Sequence, residues 1–167
     1  MAEDYKRIKE LSDHFIDRIM KELPDVTLNG NREHCWPGTV NLSFSCVEGE
    51  SMIMAMPNIA VSTGSACTSA SLEPSYVMRA LGVPDELAHT SIRFGISRFT
   101  KDWEVEKAAD VIIKQVNRLR EISPLWEMKQ QGIDLSAIQW SSHLTVCSIH
   151  SITVVTSFKE SIDMSFK

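Results

Sequence analysis

Cys67 is the residue with the most chemistry to offer, and its neighbours single it out. From Ser62 to Ser71 the chain reads Ser-Thr-Gly-Ser-Ala-Cys-Thr-Ser-Ala-Ser, every side chain small. Such a segment has little to bury against the entropy cost of ordering it, so a mobile loop is expected. A free cysteine is either a small core residue or an exposed reactive thiol. With no bulky apolar neighbour to build a pocket, exposure is favoured by about two to one. An unperturbed thiol has a pKa of about 8.5, so about a quarter would be nucleophilic thiolate at pH 8. The other cysteines lack this setting. Cys46 is expected on the inward face of a strand, Cys35 in a turn and Cys147 in the C-terminal segment. Neither His34-Cys35 nor Cys147 with His150 has the paired spacing of a structural zinc site.

Arg93 is the second candidate. Ile92, Phe94 and Ile96 alternate with Arg93, Gly95 and Ser97, the period of a strand with one apolar face, so Arg93 points away from the core. A planar guanidinium with paired donors suits a carboxylate, although a surface salt bridge is the commoner fate of a strand arginine. His89 is a helix-end or core histidine rather than a catalyst.

These residues need elements to hold them. Ile8, Leu11, Phe15, Ile19 and Leu23, spaced by three and four, predict an amphipathic helix over Ala2 to Leu23 that stops before Pro24. A turn-rich stretch from Asn29 to Gly38 leads into Val40, Leu42, Phe44 and Cys46, which alternate with polar residues as a half-buried strand does. Glu50 to Met56 forms a short helix ended by Pro57. Pro74 opens another through Tyr76, Val77 and Leu81, capped by Gly82. Thr100 offers an N-cap to a long helix that buries Val105, Ala108, Ile112, Val116 and Leu119. Its Asp102 and Glu104 near the start, with Arg118 and Arg120 near the end, suit the helix dipole.

The 167 residues suffice for one ordinary domain, and 17 basic against 22 acidic residues leave a net charge of −5 with no basic stripe, which speaks against nucleic acid. No run of 18 apolar residues is long enough to span a bilayer, so no membrane association is expected. Without a secretory signal, the four cysteines are expected to be free thiols. Composition shifts once, after His143: Leu144 to Phe158 is rich in Val, Ile, Thr and Ser. Residues 144–167 are therefore expected to be an atypical extension, with Ile149 to Phe158 prone to β-pairing.

Glu48-Gly49-Glu50-Ser51, the stretch from Ser62 to Tyr76 and Ala88-His-Thr-Ser-Ile-Arg-Phe94 together resemble the pyridoxal-phosphate-dependent cysteine desulfurases, in their iron-sulfur assembly branch of mitochondria and bacteria. The likeness runs on through Ser123 to Met128 and Gly132 to Leu135 and stops at His143. It implies that residues 1–143 are the small C-terminal domain of a fold-type I enzyme, an α/β layer in which helices cover a short antiparallel sheet, with a catalytic loop at 62–71. By the same resemblance, Cys67 takes sulfur from L-cysteine as a persulfide, leaving alanine, and Arg93 holds the substrate carboxylate. Cys67 would also be a transient iron-sulfur ligand shared with a scaffold.

The implied partners are L-cysteine, the iron-sulfur scaffold protein, a second copy in a homodimer and, in mitochondria, frataxin and a small accessory subunit. The implied compartment is the mitochondrial matrix in a eukaryote and the cytoplasm in a bacterium. Pyridoxal phosphate is implied for the complete enzyme, but the lysine that holds it belongs to a large domain not recognisable here. The chain is therefore expected to be a fragment without turnover of its own, or else a non-enzymatic module that binds the scaffold or the full enzyme. Ser97 departs from the family's usual glycine, which raises the question of whether a positive φ is needed there.

Overall fold

The computed structural model describes residues 1–63 and 75–132, all within one structural unit that spans residues 1–137. Helix α1 (Ala2–Glu22) follows the predicted stripe: Ile8, Leu11, Phe15 and Ile19 are buried, joined by Ile16 and by Ser12, whose hydroxyl donates to the Pro37 carbonyl. Strand β1 (Val26–Leu28), too short to show a period, was not expected from the sequence. It pairs with β2 (Thr39–Phe44), which pairs with β4 (Ser91–Gly95), which pairs with β3 (Ser62–Thr63), every pair antiparallel. The order β1-β2-β4-β3 leaves β3 at an edge.

Val40, Leu42 and Phe44 of β2 and Ile92 and Phe94 of β4 point to one side. There they meet α1 and the long helix α5 (Asp102–Glu121) in a single apolar core. Phe15 meets Phe94 edge-on, ring centroids 5.2 Å apart. Ile112 and Val116 are completely enclosed, each contributing about 1.5–3 kcal/mol of burial. The expected α/β layer with a short antiparallel sheet under helices is thus present.

Three local expectations need correction. The N-cap of α5 is Lys101 rather than Thr100: Glu104 reaches back to accept from the Lys101 N–H at 2.8 Å, and Thr100 Oγ1 instead accepts from the Ser97 N–H at 3.0 Å. The buried face of α5 is turned slightly from the predicted one, enclosing Ala109 and Arg120, while Ala108 and Leu119 are only partly covered. Finally, β2 ends at Phe44, and Cys46 is a half-buried turn residue with φ +64°. The strand alternation continued past the point where the hydrogen-bonded ladder stopped.

Arg120 explains why the strand ends there. Its guanidinium donates to the carbonyls of Ser45 and Asp25, each at 3.2 Å, and stacks 4.3 Å from the Trp126 ring of α6 (Pro124–Gln130). Asp25 and Cys46 both carry positive φ, so one buried cation ties the turn entering β1 to the turn leaving β2. Burial pushes the Arg120 pKa down from its ordinary value, opposed by the charges of Asp25 and Cys46. The sequence suggested a dipole-facing surface arginine. Only tertiary packing makes it a core residue.

Candidate functional site

The face of the sheet opposite the core is polar. Register places Asn41 of β2 directly opposite Arg93 of β4, and Ser62 of β3 opposite Arg93 on the other side. Arg93 is exposed, and no hydrogen bond or ion pair engages its guanidinium among the described residues. The surface salt bridge that is the commoner fate of such an arginine is therefore not made there. Beside it lies a hollow of about 320 Å³ lined by Thr39, Val61, Ser62, Arg93 and Gly95. An unpaired guanidinium on a rigid strand, next to an open hollow, is available to bind a planar anion.

Cys67, with the rest of residues 64–74, lies outside the described residues, and so does the mobile loop expected there. The residues on either side of that segment are described. On one side β3 pairs with β4 at Arg93 and Ile92. On the other, α3 (Tyr76–Ala80) ends at Gly82, with φ +74°, whose N–H donates to the Arg79 carbonyl while that of Val83 reaches Met78. This is the glycine C-cap expected from the sequence, since left-handed backbone strains any residue with a Cβ.

The Glu48-Gly49-Glu50-Ser51 segment also acquires a physical role. Glu48 is the N-cap of α2 (Gly49–Ala55), its carboxylate accepting from the N–H groups of Glu50 at 2.8 Å and Ser51 at 2.6 Å. Burial by itself would raise the Glu48 pKa, but these hydrogen bonds outweigh it and hold the carboxyl below the usual range. Gly49 lets the helix start press against its neighbours: a Cβ there would stand 2.9 Å from the His89 carbonyl oxygen and 3.0 Å from Thr63 Cγ2. The segment packs α2 against β3, the strand that leads into the cysteine loop.

His89 terminates α4 (Asp85–Ala88), its N–H donating to the Asp85 carbonyl, which agrees with the structural role expected of it. Ser97 does not adopt a positive φ; its hydroxyl accepts from the Phe99 N–H at 3.2 Å, so a side chain is accommodated and the glycine is not needed. Cys35 is exposed, and no three His, Cys, Asp or Glu side chains gather to hold a metal among the described residues. Trp126 is half-buried, with the Arg120 guanidinium over its ring. Trp140, Ile138 and the whole of 144–167 lie outside the described residues.

Residues 1–108 match the family model for aminotransferase class-V. The chain belongs to the class-V aminotransferase family. Within this family it is 59% identical over 143 residues to a cysteine desulfurase of Homo sapiens, covering 86% of this chain and 31% of that protein. It is 54% identical over 143 residues to the cysteine desulfurase IscS of Rickettsia bellii, covering 86% of this chain and 35% of that one. The resemblance to cysteine desulfurases is thereby established, and the chain spans about a third of the length of the curated relatives it matches. A solved NifS-like protein from Rickettsia africae shares the fold, with TM-score 0.58 and 23% identity over 70% of this chain and 29% of that chain. A second NifS-like structure has TM-score 0.60 at 20% identity. Among the described residues no helix is long and apolar enough to cross a membrane.

Proposed function

We propose that this class-V chain is the C-terminal part of a cysteine desulfurase, in which Arg93 holds the carboxylate of L-cysteine and Cys67 receives its sulfur. The observation that carries this reading is the guanidinium of Arg93, unpaired among the described residues, on a residue set directly opposite Ser62. Cys67 stands five positions after Ser62, so by covalent reach alone the two backbones are at most about 18 Å apart. A carboxylate anchor and a thiol nucleophile thus share one tether. Transfer of the substrate sulfur leaves alanine and a Cys67 persulfide, and the loop then passes that sulfur to an acceptor. In this reading the acceptor is an iron-sulfur scaffold protein, and the complete enzyme is a homodimer. Residues 1–143 act as its small domain.

Pyridoxal phosphate would supply the electron sink for carbon-sulfur cleavage in the complete enzyme. The described residues do not fit its site. Every lysine among them lies on α1, α5 or α6 or at the α5 N-cap, none on the polar sheet face, and Lys9 and Lys129 are paired with Asp13 and Asp25. What this chain contributes is the anchor and the sulfur carrier.

The test joins residues 1–143 to the upstream two-thirds of the human cysteine desulfurase and follows sulfide release from L-cysteine, with persulfide on Cys67 detected by alkylation and mass spectrometry. Cys67→Ser is expected to abolish both signals. Arg93→Lys is expected to raise KM about tenfold or more with a smaller change in kcat, because a point charge cannot reproduce paired donors. Full activity in Cys67→Ser, or an unchanged KM in Arg93→Lys, would remove that residue from the site. The unjoined chain is expected to release no sulfide.

A further inference from the structure

Asn29 and Gly30, which open the turn between β1 and β2, place an electrophile and a nucleophile in neighbouring residues. The side-chain carbonyl carbon of an asparagine can be attacked by the backbone nitrogen of the next residue, closing a five-membered ring, and a Cβ on that next residue obstructs the closure. Of the asparagines in this chain, only Asn29 precedes glycine, which has no Cβ to obstruct it.

The fold keeps the nucleophile open. Gly30 is exposed with φ +97°, and nothing stands within 4 Å of the place a Cβ would take. Its N–H makes no hydrogen bond among the described residues, so the attacking nitrogen is not tied to an acceptor. The electrophile is held instead. Asn29 Nδ2 lies 2.7 Å from Asn41 Oδ1 and 2.8 Å from Ser43 Oγ, and both contacts must break before the side chain can swing toward Gly30. Asn31, in the same turn, differs on both counts. It precedes Arg32, and its Oδ1 accepts from the N–H groups of Glu33 at 2.7 Å and His34 at 2.9 Å.

We propose that Asn29 is a modification site, at which the chain converts its own asparagine to aspartate and isoaspartate at a pace set by the two contacts that hold the amide. Water is the only co-reactant. The Gly30 nitrogen bonds to Asn29 Cγ, the Cγ–Nδ2 bond breaks, and Nδ2 leaves as ammonia, its third hydrogen supplied by the Gly30 amide proton. Water then opens the ring, and nothing is oxidised or reduced. Opening at Cγ gives aspartate. Opening at the backbone carbonyl gives isoaspartate, whose main chain is one methylene longer at the end of β1. Either product carries a carboxylate, which has no hydrogen to give to Asn41 or Ser43 and adds a negative charge beside them. The Asn29 N–H donates to the Asn41 carbonyl at 2.9 Å, next to a strand of only three residues, so the longer main chain loosens this edge of the sheet.

The experiment incubates the full, folded chain at mildly alkaline pH and follows each asparagine by digestion and mass spectrometry, with aspartate and isoaspartate peptides separated by chromatography. Asn29 is expected to be the first asparagine converted, with both products present and a lower denaturation midpoint in the converted fraction. Asn29→Gln, whose extra methylene removes the five-membered closure, should stay unconverted at this position. Ser43→Ala removes one of the two contacts on the amide and should convert about fivefold faster, the loss of one ordinary hydrogen bond. That variant strands no acceptor, because the Leu87 carbonyl bonded by the Ser43 hydroxyl also accepts from the Thr90 N–H and hydroxyl. If the folded chain leaves Asn29 intact while the chain in denaturant converts it, the turn protects the pair and the proposal falls. Equal rates in Ser43→Ala and the parent would overturn the claim that these contacts set the pace.

Discussion

At the scale of single residues, two arginines of this chain show how position decides the use of one side chain. Arg93 stands on a strand with its guanidinium unpaired among the described residues, whereas Arg120 is almost wholly buried and gives two hydrogen bonds to backbone carbonyls. Removing Arg120 leaves the Ser45 and Asp25 carbonyls without these donors and Trp126 without its stacking partner. Arg120→Ala is expected to destabilise the chain by roughly 3 kcal/mol, as loss of buried hydrogen bonds to a charged group does. Arg118→Ala, on an exposed position one turn-face away, should stay within about 0.5 kcal/mol. Chemical denaturation of the two variants side by side checks the contrast. Equal effects would show that the buried guanidinium contributes nothing beyond the surface one.

At the scale of elements, α2 is a seven-residue helix held at its start by Glu48 and Gly49. Glu48→Ala should cost about 1 kcal/mol, the usual loss for a side chain that caps the first N–H groups. The folded pKa of this carboxyl is lowered, so its contribution is fully present above the ordinary carboxyl pKa of about 4.3 and disappears as pH falls through the lower folded value. The stability gap between Glu48→Ala and the parent should therefore be constant near neutrality and close below about pH 4. A gap that persists at pH 2 would mean that the side chain acts by packing. Gly49→Ala tests the other half of the motif. Helix propensity alone favours alanine, but the His89 carbonyl and Thr63 stand in the way of a Cβ, so a loss of about 1–3 kcal/mol is expected. A more stable Gly49→Ala variant would show that α2 does not press on β3 as described.

At the scale of the whole molecule, residues 144–167 are expected to contribute no buried core, because composition turns to uncharged β-branched residues where the family resemblance stops. A chain ending at His143 should keep its denaturation free energy within about 2 kcal/mol of the full chain and give a higher soluble yield. A larger loss would show that the extension packs. The sequence by itself determined much of this protein: the stripe of α1, the alternation of β4 that turns Arg93 away from the core, the glycine cap after α3, and the loop of small residues around Cys67. The first three are local patterns, fixed by the period of a helix or strand or by the backbone freedom of one residue, and so are legible without tertiary context, while the small-residue segment around Cys67 lies outside the described residues. What only the tertiary structure decided involves partners far apart in the chain. Arg120 became a core residue because the Asp25 and Ser45 carbonyls and the Trp126 ring surround it, and Gly49 became necessary because His89 lies against it. Hydrogen bonds between distant segments have no period in sequence, and the folded backbone alone brings their donors and acceptors together.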